Sequence, residues 1–110
     1  MNICLITDND WVEDSLTKYI DFEFSFSRHE KFEDVVDSFD YIFVDMQVNN
    51  NGGPSIINEL KRKPSYKNSK IILLIDREAD IFQAKRVSAD GYLLKPFDKT
   101  NLKKLLYREI

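Results

Sequence analysis

The chain has 110 residues, 43% of them hydrophobic and 32% charged, which suits one folded domain with a single core and leaves no length for a second. Its three glycines and three prolines exclude linkers and low complexity, and one cysteine (Cys4) and one histidine (His29) provide neither a disulfide framework nor zinc-ligand spacing. The formal charge of −3 hides an asymmetry: residues 1–60 carry 13 acidic and 3 basic side chains, residues 61–110 carry 6 and 13. Two readings stand, an interleaved α/β domain whose fields partly cancel, or an acidic pocket beside a basic face. Asp8 and Asp10 interrupt the N-terminal apolar run too early for a signal peptide. The longest apolar run, Ile71 to Ile75, is far too short to span a bilayer. A cytoplasmic protein with no membrane partner is expected.

In chain order, five apolar runs suit buried strands: Ile3–Ile6, Phe22–Phe26, Tyr41–Asp45, Ile71–Ile75 and Tyr92–Leu94. The first contains Cys4, which reads as a buried thiol. Helical spacing fills the intervals. Asp10 is placed to cap a helix carrying Val12, Leu16 and Ile20. Glu30 to Phe39 presents Phe32, Val35, Val36 and Phe39. Pro54 suits the first turn of a helix with Ile56, Ile57 and Leu60, stopped before Pro64. Asp80 to Ser88 carries Ile81, Ala84 and Val87. Asp98 is placed to cap a last helix with Leu102, Leu105 and Leu106. This β-α alternation, five times over, implies a single (βα)5 domain spanning residues 1–110: a doubly wound, parallel, five-stranded sheet with helices on both faces. No segment is left over for a helix-turn-helix, so direct binding of nucleic acid is not expected of this domain. An output domain beyond Ile110 is compatible with the pattern.

Open parallel sheets bind ligands beyond the carboxyl ends of their strands. Asp8 follows the first strand, Asp45 ends the third and Lys95 follows the fifth, so all three are expected at one edge. Lys95 precedes Pro96, which favours extended backbone at the lysine and permits a cis bond. Two carboxylates at one edge repel unless a cation sits between them. Hard oxygen donors suit Mg²⁺, and an aspartate at a strand end can act as a nucleophile toward phosphorus.

These residues resemble the receiver domain of bacterial response regulators, along essentially the whole chain. Met1 to Leu16 is similar to the family's first strand, acidic pair and first helix, and Asp45 to Pro54 to its phosphoacceptor strand and glycine-bearing loop. Tyr92-Leu93-Leu94-Lys95-Pro96-Phe97 is the most specific match. The resemblance implies a flavodoxin-like receiver topology and a two-component signalling role. Asp45 would be the phosphoacceptor, Asp8, Asp45 and the Gln47 carbonyl the Mg²⁺ ligands, Lys95 the phosphoryl contact and Tyr92 the switch aromatic. It also implies a sensor histidine kinase or phosphotransfer protein as donor, and a homodimer through the fourth and fifth helices. Lys103, Lys104 and Arg108 read as a solvated helix face, or as groups facing a second subunit. Trp11 is expected beside the pocket, partly exposed.

Two departures from the family pattern bear on function. Thr7 stands where the family has the first acid of its pair; Asp10 could compensate or serve as the helix cap. Ile75 stands where the family has a hydroxyl that couples phosphorylation to the aromatic. One charge-assisted hydrogen bond is worth roughly 1.5–3 kcal/mol, about the size of a typical allosteric coupling of ~1–3 kcal/mol. The sequence therefore suggests a receiver with impaired switching, or alternatively a phosphorylation-independent pseudo-receiver that works as a dimerisation or interaction module. Enzymes of similar architecture are disfavoured. Thr7-Asp8-Asn9-Asp10 would repel a flavin phosphate, Gln47 replaces the second aspartate of haloacid dehalogenase phosphatases, and no Walker loop is present.

Overall fold

The computed structural model describes residues 2–20, 24–31 and 39–107. Strands β1 (Asn2–Ile6), β2 (Ser25–His29), β3 (Tyr41–Asp45), β4 (Lys70–Ile75) and β5 (Gly91–Leu94) form one parallel sheet in the order β2-β1-β3-β4-β5. Around it lie α1 (Asp10–Thr17), a four-residue helical turn α2 (Val48–Asn51), α3 (Gly53–Lys61), α4 (Ile81–Arg86) and α5 (Lys99–Tyr107). The expected doubly wound α/β sheet is the observed one. Among the described residues no helix is long and apolar enough to cross a membrane.

Strand side chains alternate between faces, and the alternation divides the core in two. Cys4, Ile6, Ile42, Val44, Ile71, Leu73 and Ile75 pack with Ile56, Ile57 and Leu60 of α3 and Ala84 of α4. Ile3, Leu5, Tyr41, Phe43, Ile72, Leu74 and Leu93 pack with Val12 and Leu16 of α1 and Leu102 and Leu106 of α5. Both faces being covered explains why β1, β3 and β4 read as continuous apolar runs. Cys4 is fully buried, and that burial pushes its thiol up to about 12, so it is an inert packing group.

Three expectations are corrected. The second strand is Ser25–His29 where Phe22–Phe26 was expected (Phe22 and Glu23 lie outside the described residues), because pairing with β1 fixes its register from Asn2↔Ser25 to Ile6↔His29. It is an edge strand whose residues are exposed or half-buried, so apolarity did not mark its bounds. Asn9, not Asp10, caps α1: its Oδ1 accepts from the Trp11 N–H at 2.8 Å. The helix read over Asp80 to Ser88 is a 3-10 turn, Glu78–Asp80, leading into the shorter α4. By contrast, Asp98 caps α5 as expected, accepting from the Asn101 N–H at 2.8 Å. The helix read over Glu30 to Phe39 falls mainly outside the described residues, as does Arg108.

Among the described residues Phe43 is the largest of the fully buried side chains, and it sits on the central strand. Phe43→Ala should lower the unfolding free energy by about 3–5 kcal/mol, read from the midpoint of a urea titration; an unchanged midpoint would contradict the core described above.

Candidate functional site

The alternation that builds the α1/α5 core also builds the site. Continuing the series Ile3-Leu5, Tyr41-Phe43, Ile72-Leu74 and Leu93 by one step of two gives Thr7, Asp45, Asp76 and Lys95. The ladder extends far enough to hold them, with the Met46 N–H donating to the Leu74 carbonyl at 2.9 Å and the Lys95 N–H to the Ile75 carbonyl at 2.8 Å. The apolar series thus ends in polar groups at the carboxyl edge, three of which line one cleft. That cleft has a volume of about 270 Å³, with Asp45, Asp76 and Lys95 in its wall beside Asp8, Trp11 and Pro96. The Lys95–Pro96 bond is cis.

Asp45 is 1% exposed. Thr7 Oγ1 donates to its Oδ2 at 2.7 Å. Lys95 Nζ donates to its Oδ1 at 2.5 Å, and the Gln47 N–H donates to the same oxygen at 3.2 Å. Thr7 is itself fixed: its N–H donates to the His29 carbonyl, and its hydroxyl accepts from the Asn9 N–H at 3.1 Å. The far side of Lys95 meets a second carboxylate. Asp76 Oδ1 lies 3.0 Å from Nζ, and Asp76 Oδ2 accepts from Gln47 Nε2 at 2.6 Å.

Asp8 is exposed at the rim, where its Oδ2 accepts from the Asn49 N–H at 3.2 Å. Asn49, Asn50 and Asn51 have φ of 53°, 57° and 67°, a left-handed run that asparagine tolerates better than most residues. The chain then returns so tightly that a Cβ on Gly53 would stand 2.5 Å from the Asp45 carbonyl oxygen. Only glycine fits there.

Of the sequence-predicted site residues, Thr7, Asp45 and Lys95 are in direct contact, and Asp8 and Gln47 line the same cleft. Trp11 also borders it, 58% exposed. Asp10 does not: its carboxylate pairs with Arg28 at 2.5 Å. Ile75 is fully buried in the core beneath α3 and α4. Tyr92 is 41% exposed and borders a different groove, between α4 and α5.

Asp76, Asp80 and Arg28 were not singled out from sequence. Asp76 was accessible to the strand-end rule, since it directly follows the fourth apolar run. Asp80 is buried, and its Oδ2 accepts the N–H groups of Asp76 and Arg77 at 3.1 and 3.2 Å, fixing the turn after β4. Arg28 joins β2 to α1 through Asp10 and Glu13, which hold its guanidinium in the charged form, and its Nε donates to the Thr7 carbonyl at 3.4 Å. Nothing local in the sequence marked those long-range pairs.

The site can be tested as a seat for Mg²⁺. The Asp8 carboxylate, Asp45 and the Gln47 carbonyl are hard oxygen donors of the kind that ion takes while keeping several waters. Thr7 contributes no carboxylate, and its hydroxyl proton is directed at Asp45. The donors fit the ion in kind, with less negative charge than a pair of adjacent acids would bring.

The model of the response regulator receiver domain matches residues 3–107. The chain belongs to that family. Among solved structures, the chemotaxis response regulator CheY4 of Vibrio cholerae superposes with a TM-score of 0.84 at 20% identity, covering 99% of this chain and 98% of that one. The response regulator DrrB of Thermotoga maritima gives 0.78 at 19% identity; 98% of this chain is covered, and the chain spans about half (53%) of DrrB. The receiver domain of the sensor histidine kinase PA1611 from Pseudomonas aeruginosa, with a magnesium ion in its active-site cleft, gives 0.77 at 20% identity, with 97% and 94% covered. At these identities the structural likeness speaks for the fold. No curated protein sequence matches significantly. Receiver domains are signalling modules, and Mg²⁺ binding in the active site belongs to the family.

A buried carboxylate left without its cation is costly, on the order of 3–5 kcal/mol. Lys95→Met should therefore destabilise the protein by about that amount at neutral pH, and adding Asp45→Asn should restore most of the loss. Urea titrations of the single and double variants check this; additive losses would mean the two groups are not coupled.

Proposed function

We propose that this receiver accepts a phosphoryl group on Asp45 from a histidine kinase or phosphotransfer protein, and that its response to phosphorylation is impaired. The observation that carries the acceptor assignment is the Lys95 ammonium, 2.5 Å from Oδ1 of a carboxylate on the central strand. An Asp45 oxygen attacks phosphorus, forming an acyl phosphate as the donor's P–N bond breaks, and the departing imidazole takes up a proton. Lys95 then transfers its hydrogen bond from Oδ1 to the phosphoryl oxygens, where it stabilises the added charge. Thr7 continues to orient Asp45, and the Gln47 N–H remains beside it. A Mg²⁺ ion held by Asp8, Asp45 and the Gln47 carbonyl would supply further charge neutralisation.

Impaired switching rests on Ile75 and Tyr92. Ile75 offers no hydroxyl to a phosphoryl group, and its side chain is committed to the α3/α4 core. Tyr92 stands outside the cleft, with no hydrogen-bonding partner at position 75 to draw it inward. The exposed side chains of Phe82 on α4 and of Tyr92 and Leu94 on β5 support association of two copies through α4, β5 and α5.

Thr7 and Ile75 also favour a second reading, a module whose partner binding ignores phosphate. The two are separated by Asp45→Asn, which abolishes partner binding or cellular output only if phosphate matters.

Incubation with acetyl phosphate and Mg²⁺ should add one phosphoryl mass to the native protein and none to Asp45→Asn; no adduct at millimolar Mg²⁺ would overturn the acceptor assignment. Tyr92 should report little change when the native protein is phosphorylated and a larger one in Ile75→Thr, followed by ring NMR signals. That variant should also lose roughly 1–3 kcal/mol of stability from burying a hydroxyl.

A further inference from the structure

We propose that Asp76 is a positioning residue that competes with the phosphoryl group for Lys95, holding the resting site closed against anions. Its kinetic consequence rests on Asp45 being the acceptor; its effect on anion binding does not. Asp76 is the first residue beyond β4 and shares the cleft with Asp45 and Lys95. One carboxylate oxygen lies 3.0 Å from Lys95 Nζ and the other takes the Gln47 amide at 2.6 Å. It therefore spans the mouth from the lysine to the residue two places after Asp45. The side chains of Lys95 and Asp76 are 9% and 30% exposed, so this pair is less screened than one between fully exposed surface groups.

The strut is rigid at its base. The Asp76 N–H donates to Asp80 Oδ2, and the buried Asp80 carboxylate also holds the Arg77 N–H. Asp76 is thus aimed into the cleft by a hydrogen-bonded turn. In the resting protein one ammonium lies between two carboxylates, the position a metal cation takes between paired acids. An arriving phosphoryl group brings negative charge toward the same ammonium and meets the Asp76 carboxylate beside it. Lys95 cannot fully serve both, and like charges at this range repel.

The test compares the native protein with Asp76→Asn, which keeps the shape and removes the charge, and with Asp76→Ser as a second variant; thermal unfolding confirms that each is folded. Orthophosphate is titrated in while the Lys95 side-chain NMR signal is followed, and acyl-phosphate formation from acetyl phosphate is timed by mass. Both variants should bind orthophosphate and form the adduct roughly tenfold more readily, with the difference shrinking at high salt. A structural role alone would not give that salt dependence. Equal or weaker orthophosphate binding by the folded variants would overturn the proposal, as would a salt-independent difference. If no adduct forms in any of the proteins, the acceptor assignment of Asp45 fails, and the orthophosphate titration alone decides on Asp76, by the same criteria.

Discussion

Asp45 is a carboxylate at the end of the central strand with almost no access to water, and the rest of the cleft is arranged around that constraint. A buried charge is tolerated only when it is paired and hydrogen-bonded. Here the pairing comes from Lys95 and the hydrogen bonds from Thr7 and the Gln47 backbone. The groups arise from three strands or their extensions, so the sheet must be in register before the charge is satisfied. Replacing an acid by Thr7 changes the character of this arrangement. An additional carboxylate would have to share a cation with Asp45, whereas the threonine hydroxyl satisfies Asp45 directly. In the resting site Asp45 is thus satisfied by the chain's own groups.

Much of this was legible in the sequence because two periodicities did the work. Five apolar runs separated by helical spacing gave the sheet and its direction, and the carboxyl-edge rule then placed Asp8, Asp45 and Lys95 together. The strand period of two carries further information: the series 3-5-7, 41-43-45, 72-74-76 and 93-95 points to Thr7 and Asp76 as partners of Asp45 and Lys95. The illegible parts have a common cause. β2 is a half-buried edge strand, so apolarity could not locate it, and its position depends on pairing with β1 and on Arg28 reaching α1. The choice between Asn9 and Asp10 as cap is a matter of one residue, which composition does not resolve. Asp10 became unavailable to the cleft through a partner 18 residues away.

Helix polarity orders part of the charge in this chain. A right-handed β-α unit points each helix N-terminus toward the carboxyl edge of the sheet. Asp10 and Glu13 lie in the first turn of α1, Glu78 and Asp80 in the turn leading to α4, and Asp98 at the start of α5. Lys61, Lys85, Arg86 and Lys104 lie in the last turns of α3, α4 and α5. Acids at N-termini and bases at C-termini complement the helix dipoles, so the segregation stabilises the fold without any ligand.

The same segregation has a consequence at the cleft. It concentrates carboxylates on the edge where the proposed phosphoryl transfer takes place, and an anionic donor approaching that edge meets Asp8 and Asp76 before it reaches Lys95. Helix stability and anion acceptance therefore pull in opposite directions. Among the described residues Lys95 is the cation that lines the cleft, and the turn capped by Asp80 keeps Asp76 against it. The balance between acceptance and exclusion then rests on one ammonium and on which of its two carboxylate partners releases it.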